Sequence, residues 1–281
     1  MINWLKNLNI SKHFKKRRIG VDLFNRRLIA VESGKGIFIK KTIDEIFVEI
    51  PDKKRYKKLK KGILSDDYWR NPDVLNYLMG YWMKKAKLNS EHYYLFTVLP
   101  YKNFDSIYEK RDKAFLKTKK TNLCRAIGTF NDLQCICWYY GLVDTNEEKD
   151  YKKSWFLFSI NKGFYLGYTF TGRVVDAVYI KDKYKELTSS DIKKEMEKLA
   201  NFISEDIPQM FKDRELYTDE QIEKMTKEWA KPFGKTSYFS VPEELKKRFG
   251  EKIDKYSIKY LNYDEFSVIK GLEKIMTMVK V

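Results

Sequence analysis

Histidine and cysteine are nearly missing from this chain, with two histidines and three cysteines in 281 residues. His13 and His92 stand far from Cys124, Cys135 and Cys137, and no spacing among them suits a zinc site or a haem attachment. No metal is expected. Cys135 and Cys137 fall in the apolar stretch Leu133–Tyr140, where small buried hydrophobes explain them. Three thiols make no disulfide framework, which favours a reducing compartment. Glycine and proline are also sparse, at 13 and 6 residues, and leave little chain for low-complexity linkers. No run approaches the roughly 18 uncharged apolar residues of a membrane span, and the N-terminus lacks the apolar core and cleavage site of a secretory signal. The expectation is a cytoplasmic chain that neither spans a membrane nor leaves by that route.

What the chain has in excess is positive charge and aromatic surface. Hydrophobic residues make up 43% and aromatics 16%, enough to build a core through one large domain or two ordinary ones. The net charge of +17 predicts attraction to polyanions: nucleic acid, anionic lipid or an acidic protein. Charge alone does not choose among these. AT-rich coding accounts equally well for a composition so rich in Lys, Ile, Tyr and Asn.

Residues 1–18 differ from the rest. Met1, Trp4, Leu5 and Leu8 recur at helical spacing with Ile2 beside them, and Lys6, Lys12, Lys15, Lys16, Arg17 and Arg18 supply the cations. Two readings stand open for this basic amphipathic segment. One is a terminal helix docked on the protein body; the other is an interfacial anchor with its apolar side chains in the acyl boundary and its cations among anionic headgroups.

From Arg18 onward, short β-branched and aromatic runs predict strands at 19–24, 28–32, 36–40 and 43–50. Asn71-Pro72 opens a helix to about Lys87, and then come a strand at 93–99, a helix at 104–118, a strand at 122–127 and a helix at 132–141. The polar segment 144–153 is the expected boundary. Beyond it the pattern repeats, with strands at 155–160, 163–170 and 173–180, a helix from Ser190 to about Arg214, a strand at 257–262 and a helix at 266–278. The segment 216–254, charged and interrupted at 231–234, reads as a helical insertion. Two units of βββ followed by α and β predict two similar α/β lobes, 19–148 and 149–281, facing one another across a cleft.

The strings IGVDLFNRRLIAVESGKGIF (19–38), KLKKGILSDDY (58–68), FTVLPYKNFDSIYEKRD (96–112), SWFLFSINKGFYLGYTFTGRVV (154–175) and IKYLNYDEFSVIKGLEKIM (258–276) follow one another in this order. Together they resemble the bacterial actin family of MreB and, more distantly, the PilM-like proteins. The resemblance implies a two-lobed actin-like fold of duplicated ribonuclease-H-like βββαβα units. Its outer subdomains are reduced here, and the family's terminal helix that returns to the first lobe is expected to be missing.

Where the family binds ATP with magnesium, this chain departs from it. The first phosphate turn, Gly-Thr-rich in the family so that backbone amides can reach phosphate, is Phe24-Asn25-Arg26-Arg27, and only Asp22 stands at the magnesium-associated position. The second is Ser159-Ile160-Asn161-Lys162-Gly163-Phe164, with Ser159, Asn161 and Gly163 as vestigial positions. The adenosine turn is Asn262-Tyr263-Asp264-Glu265, and Thr129-Phe130-Asn131-Asp132 stands where the family has its water-orienting glutamate. The resemblance with these departures implies no catalytic residue and no cofactor. It predicts a membrane-associated scaffold of an envelope or cytoskeletal machine, with protein partners, on the inner face of the membrane. Phe24, Phe164 and Tyr263 are expected to fill the nucleotide's space. An ATP-binding filament former with rewired loops, in which Arg26, Arg27 and Lys162 meet phosphate, is the alternative. A basic nucleic-acid-binding adaptor is a second alternative, drawn from the charge and from the aromatics between lysines at 56–68.

Overall fold

Three antiparallel strands open the structure: β1 (Arg18–Asp22), β2 (Arg27–Glu32) and β3 (Gly36–Thr42), with Val21 opposite Ala30 and Leu28 opposite Lys41. Two parallel strands, β4 (Tyr93–Leu99) and β5 (Cys124–Asn131), extend that sheet on the β1 side to give the order β3-β2-β1-β4-β5. Parallel neighbours need crossovers. These are α3 (Pro72–Lys85) before β4 and α4 (Phe104–Leu116) before β5. Every residue of β4 is buried, as expected for a strand covered on both faces. The computed structural model describes residues 17–24, 26–50, 52–65, 68–88, 93–101, 104–118, 124–142, 153–160, 163–170, 173–180, 186–202, 218–229 and 232–278.

Residues 43–50, expected as a strand, instead form helix α1 (Ile43–Val48). Thr42 accepts a hydrogen bond from the Glu45 amide while the Glu45 carboxylate accepts from the Thr42 amide, a capping box that fixes the helix start. Its buried side chains, Ile43, Ile46 and Phe47, with Ile50 beyond, follow the helical period. Helix α2 (Lys53–Ile63) follows, packed through Leu59 and Ile63, and a single 3-10 turn (Tyr68–Arg70) leads into α3.

The second sheet repeats the first. Strands β6 (Lys153–Ile160), β7 (Gly163–Phe170) and β8 (Arg173–Ile180) form the antiparallel meander. Helix α6 (Ser189–Asn201) starts at a Thr188 capping box. It covers the first part of the helix expected to reach Arg214, and 203–217 lie outside the described residues. Helix α7 (Asp219–Trp229), β9 (Thr236–Ser240), α8 (Glu243–Phe249), the short β10 (Lys252–Ile253) and β11 (Tyr256–Tyr260) complete the unit. The order is β10-β11-β9-β6-β7-β8, with β9 parallel to β6 and β11 parallel to β9. The segment 216–254 is therefore not an inserted helical hairpin. Its strand β9 holds the place that β4 holds in the first sheet, with Phe239, and Val241 just beyond the strand, fully buried.

The chain divides into two compact units within α5 (Asp132–Tyr140), between Cys135 and Ile136. The last helix, α9 (Ser267–Met278), belongs from Val268 onward to the first unit, where the expectation was the second lobe and no returning helix. Val268, Ile269, Leu272, Ile275 and Met276 form its buried stripe, and Leu272 and Met276 lie against Gly20 of β1. Among the described residues, no helix is long and apolar enough to cross a membrane.

Candidate functional site

The carboxyl end of β1 carries Asp22, 4% exposed. One of its carboxylate oxygens accepts from the Phe24 amide at 3.0 Å, and the other pairs with Arg27 at 3.3 Å. Arg26 follows in the left-handed region, φ 53°, which a non-glycine residue rarely adopts. Its guanidinium donates to the Ile63 carbonyl at the end of α2 (3.1 Å) and to Asp44 at the start of α1 (2.7 Å), and its carbonyl accepts from the Ile43 amide. Arg26 thus ties two helices to this turn. Phe24 packs on Trp69 with ring centroids 5.6 Å apart. Beside them, the Tyr68 hydroxyl and the Arg27 Nε are buried with no partner among the described residues, and burial, then the Asp22 charge, pushes the Tyr68 phenol far above its usual range.

Thr129, Asn131 and Asp132, at the end of β5, are engaged locally. The Arg111 side chain, 3% exposed, donates to the hydroxyls of Thr97 and Thr129 and pairs with Asp112 at 2.7 Å. Asn131 accepts from the Gln134 amide as a helix cap, and Asp132 accepts the amides of Tyr101 and Leu133.

In the second unit, Ser159 is buried near the end of β6 and Gly163 begins β7 directly opposite Ile160. A side chain on Gly163 would meet the Tyr179 ring at 2.5 Å, so this glycine makes room for a neighbouring aromatic. Phe164, expected to fill nucleotide space, is instead fully buried in its own unit's core, edge-on to Phe249. The strand alternation that places it cannot be read for direction from a strand buried on both faces. Tyr263, by contrast, is 41% exposed.

Asn262 and Asp264 are held by two tyrosines of α5 that no motif in the sequence singles out. Tyr140 donates to the Asn262 carbonyl (2.8 Å) and shares a bond with Ser240, while Tyr139 donates to the Asp264 carboxylate (2.8 Å). The only signal was a pair of adjacent aromatics at the end of an apolar helix. Burial first, and then Asp264, push Tyr139 up to about 12, and burial brings Tyr260 to about 12. Unfolded phenols ionise near pH ~10. The folded chain therefore keeps protons that the unfolded chain releases, and this stability is whole below that pH and lost as pH rises toward ~12. Unfolding free energy measured against pH should fall across this window, and Tyr139→Phe should lessen the slope. An unchanged slope would show that the bond to Asp264 plays no such part.

Residues 1–16, with Ile2, Trp4, Leu5, Lys6, Leu8, Lys12, Lys15 and Lys16, lie outside the described residues, as do Asn25 and Asn161. Arg17 and Arg18, expected among headgroup-facing cations, are engaged by the fold. Arg17 donates twice to Glu32 (2.8 and 2.7 Å) and once to the Ala86 carbonyl, and Arg18 donates to the Met276 carbonyl. Burial alone would raise Glu32, but its bonds to Arg17 and Lys35 outweigh this and hold the carboxyl below its usual range.

Each sheet runs two antiparallel strands outward from a central strand, β1 or β6, and two parallel strands the other way, which is the ribonuclease-H-like order, present twice, with β10 added antiparallel at the edge of the second sheet. The chain has the actin-like fold. Among solved structures, this actin-like chain is similar to MreB 5 of Spiroplasma citri bound to AMPPNP, at 12% identity over 94% of this chain and 97% of that one, with a TM-score of 0.49. It is also similar to AlfA from B. subtilis plasmid pLS32 in its filament structure, at 10% identity over 95% and 100%, TM-score 0.47. A third is a non-polymerising MamK mutant bound to AMPPNP, at 10% identity over 92% and 98%, TM-score 0.47. The duplicated strand order, rather than these overall likenesses, carries the fold. No family model matches the chain, and no curated protein does.

Proposed function

We propose that this actin-like chain works by binding, as a nucleotide-indifferent scaffold on the inner face of a membrane, with protein partners there. The observation that carries the reading is the first turn: Asp22 is bonded to Arg27 and the Phe24 amide, and Arg26 is spent on Ile63 and Asp44. A turn that cradles phosphate needs free amides and small residues. This one presents a left-handed arginine and a phenylalanine ring instead, so it does not fit family-type ATP and magnesium. Tyr179 over Gly163 and the two tyrosines on the 262–264 turn support the same reading.

Isothermal titration of ATP with magnesium is the test. No saturable heat is expected, and any self-association seen by light scattering should be indifferent to ATP. Micromolar, magnesium-dependent binding, or assemblies that form or dissolve with nucleotide, would overturn the scaffold and restore the ATP-binding filament.

A further inference from the structure

Helix α2 reads KKRYKKLKKGI and contains no acidic residue. Leu59 and Ile63, one turn apart, are buried and fix which side faces the unit. Lys53, Lys54, Lys57, Lys58, Lys60 and Lys61 fall on the remaining arc, and all six are exposed. Among the described residues, Asp73 pairs with Lys58 at 3.4 Å and no other ammonium of the six has a carboxylate partner, although the Asp52 carboxylate accepts the Lys54 backbone amide at 2.8 Å. Leu64, just past the helix end on the lysine side, is 65% exposed, and Val48, which ends α1, is 85% exposed. Arg26 binds the α2 terminus to the α1 start, so the outward face is held rather than swinging on a loop.

We infer that the outer face of α2 docks on an anionic phospholipid bilayer, as a second contact independent of the N-terminal segment. Six lysines on one face, with one carboxylate partner among them, match a headgroup layer in charge. Lysine also suits it in kind: a hydrated point charge on a flexible stem meets scattered phosphates, whereas fixed recognition of one phosphate favours the arginine fork. Nucleic acid offers cations the same phosphates but gives Leu64 no apolar boundary to enter. The acyl boundary of a bilayer does.

The inference deepens the membrane reading above, and the test separates the two. Full-length protein is co-sedimented with phosphatidylcholine vesicles, with and without phosphatidylglycerol, at low and high salt. The parent should bind only with phosphatidylglycerol, and less at high salt. The triple change Lys57→Glu, Lys60→Glu, Lys61→Glu should weaken binding by about a hundredfold or more, since each lysine near an anionic surface contributes roughly fivefold. The matching triple lysine-to-arginine chain should bind like the parent. Leu64→Ser should weaken binding with little change in its salt dependence. These side chains are exposed, so circular dichroism should show all variants folded.

A parent that ignores phosphatidylglycerol, or a triple glutamate chain that binds as the parent does, overturns the inference. So does tighter binding of the parent to random-sequence duplex DNA that the triple change abolishes, which would assign this face to nucleic acid. A parallel chain with Trp4→Glu and Leu5→Glu reports on the N-terminal segment alone. Binding lost there but kept in the triple glutamate chain supports the N-terminal anchor and refutes this one.

Discussion

Replacing Gly271 by alanine should cost the fold about 3 kcal/mol or more, a larger loss than ordinary overpacking brings. A Cβ built on Gly271 in α9 lies 1.8 Å from the Cys135 carbonyl oxygen, 2.5 Å from its carbon and 3.1 Å from its Cα. All three are backbone atoms of α5, and a helix backbone cannot rotate aside as a side chain does. The helices must separate instead. Separation would pull Leu272, Ile275 and Met276 away from the surface that buries them, and small gaps already forfeit much of the dispersion energy. Gly20→Ala supplies the comparison. Its Cβ would meet only side-chain atoms, of Leu272 and Val31 at 2.8 Å and of Met276 at 3.0 Å; Leu272 and Met276 can turn away while the stiffer Val31 must shift, together costing about 1 to 2 kcal/mol. Urea midpoints of the two variants decide the matter. If Gly271→Ala is no less stable than Gly20→Ala, the close crossing of α5 and α9 does not exist in solution.

That crossing also marks where sequence reading stops. The apolar stripe of α9 was legible as a helix at 266–278, but a stripe says only that something covers it, and here the cover is β1 and the first turn of α5, both in the first unit. The central strands β1, β4, β6 and β7 were legible because burial on both faces leaves long unbroken apolar runs. Strand β9 was not. It has five residues, with serine at the buried positions 237 and 240, and charged helices stand on either side. Helix α1 was misread although Thr42 and Glu45 spell a capping box, because Ile43, Phe47 and Val48 also satisfy strand propensity. At the candidate site the position of Asp22 was legible. Its partner was not, since Arg27 reaches it only once β1 and β2 are paired.

Replacing Asp22 by alanine should destabilise the protein by about 2 kcal/mol and leave ATP titrations unchanged. Breaking a buried pair leaves the surviving charge without a partner, at about 3 to 5 kcal/mol. Here the Asp22 side chain is 5% exposed but Arg27 is 23% exposed and 3.3 Å away, so solvent softens the loss. Asp22→Ala would leave the Arg27 guanidinium, whose Nε already has no partner among the described residues, facing a buried gap, and would uncap the Phe24 amide. Asp22→Asn keeps that amide bond and gives up the charge pair, so it should cost less, about 1 kcal/mol. Adding Arg27→Met to Asp22→Ala removes the stranded charge, and the double variant should regain more than half of the loss. The pattern matters because function and stability make opposite demands on such a residue. A carboxylate kept for a metal–nucleotide complex is usually a burden on the fold, so removing it tends to leave stability unchanged or improved and abolishes binding. A carboxylate kept for its own arginine gives the reverse. Chemical unfolding of the three variants, beside calorimetry with ATP, reads both quantities on the same samples. Stability preserved in Asp22→Ala, together with any loss of nucleotide binding, would return Asp22 to a catalytic lineage and sink the scaffold reading with it.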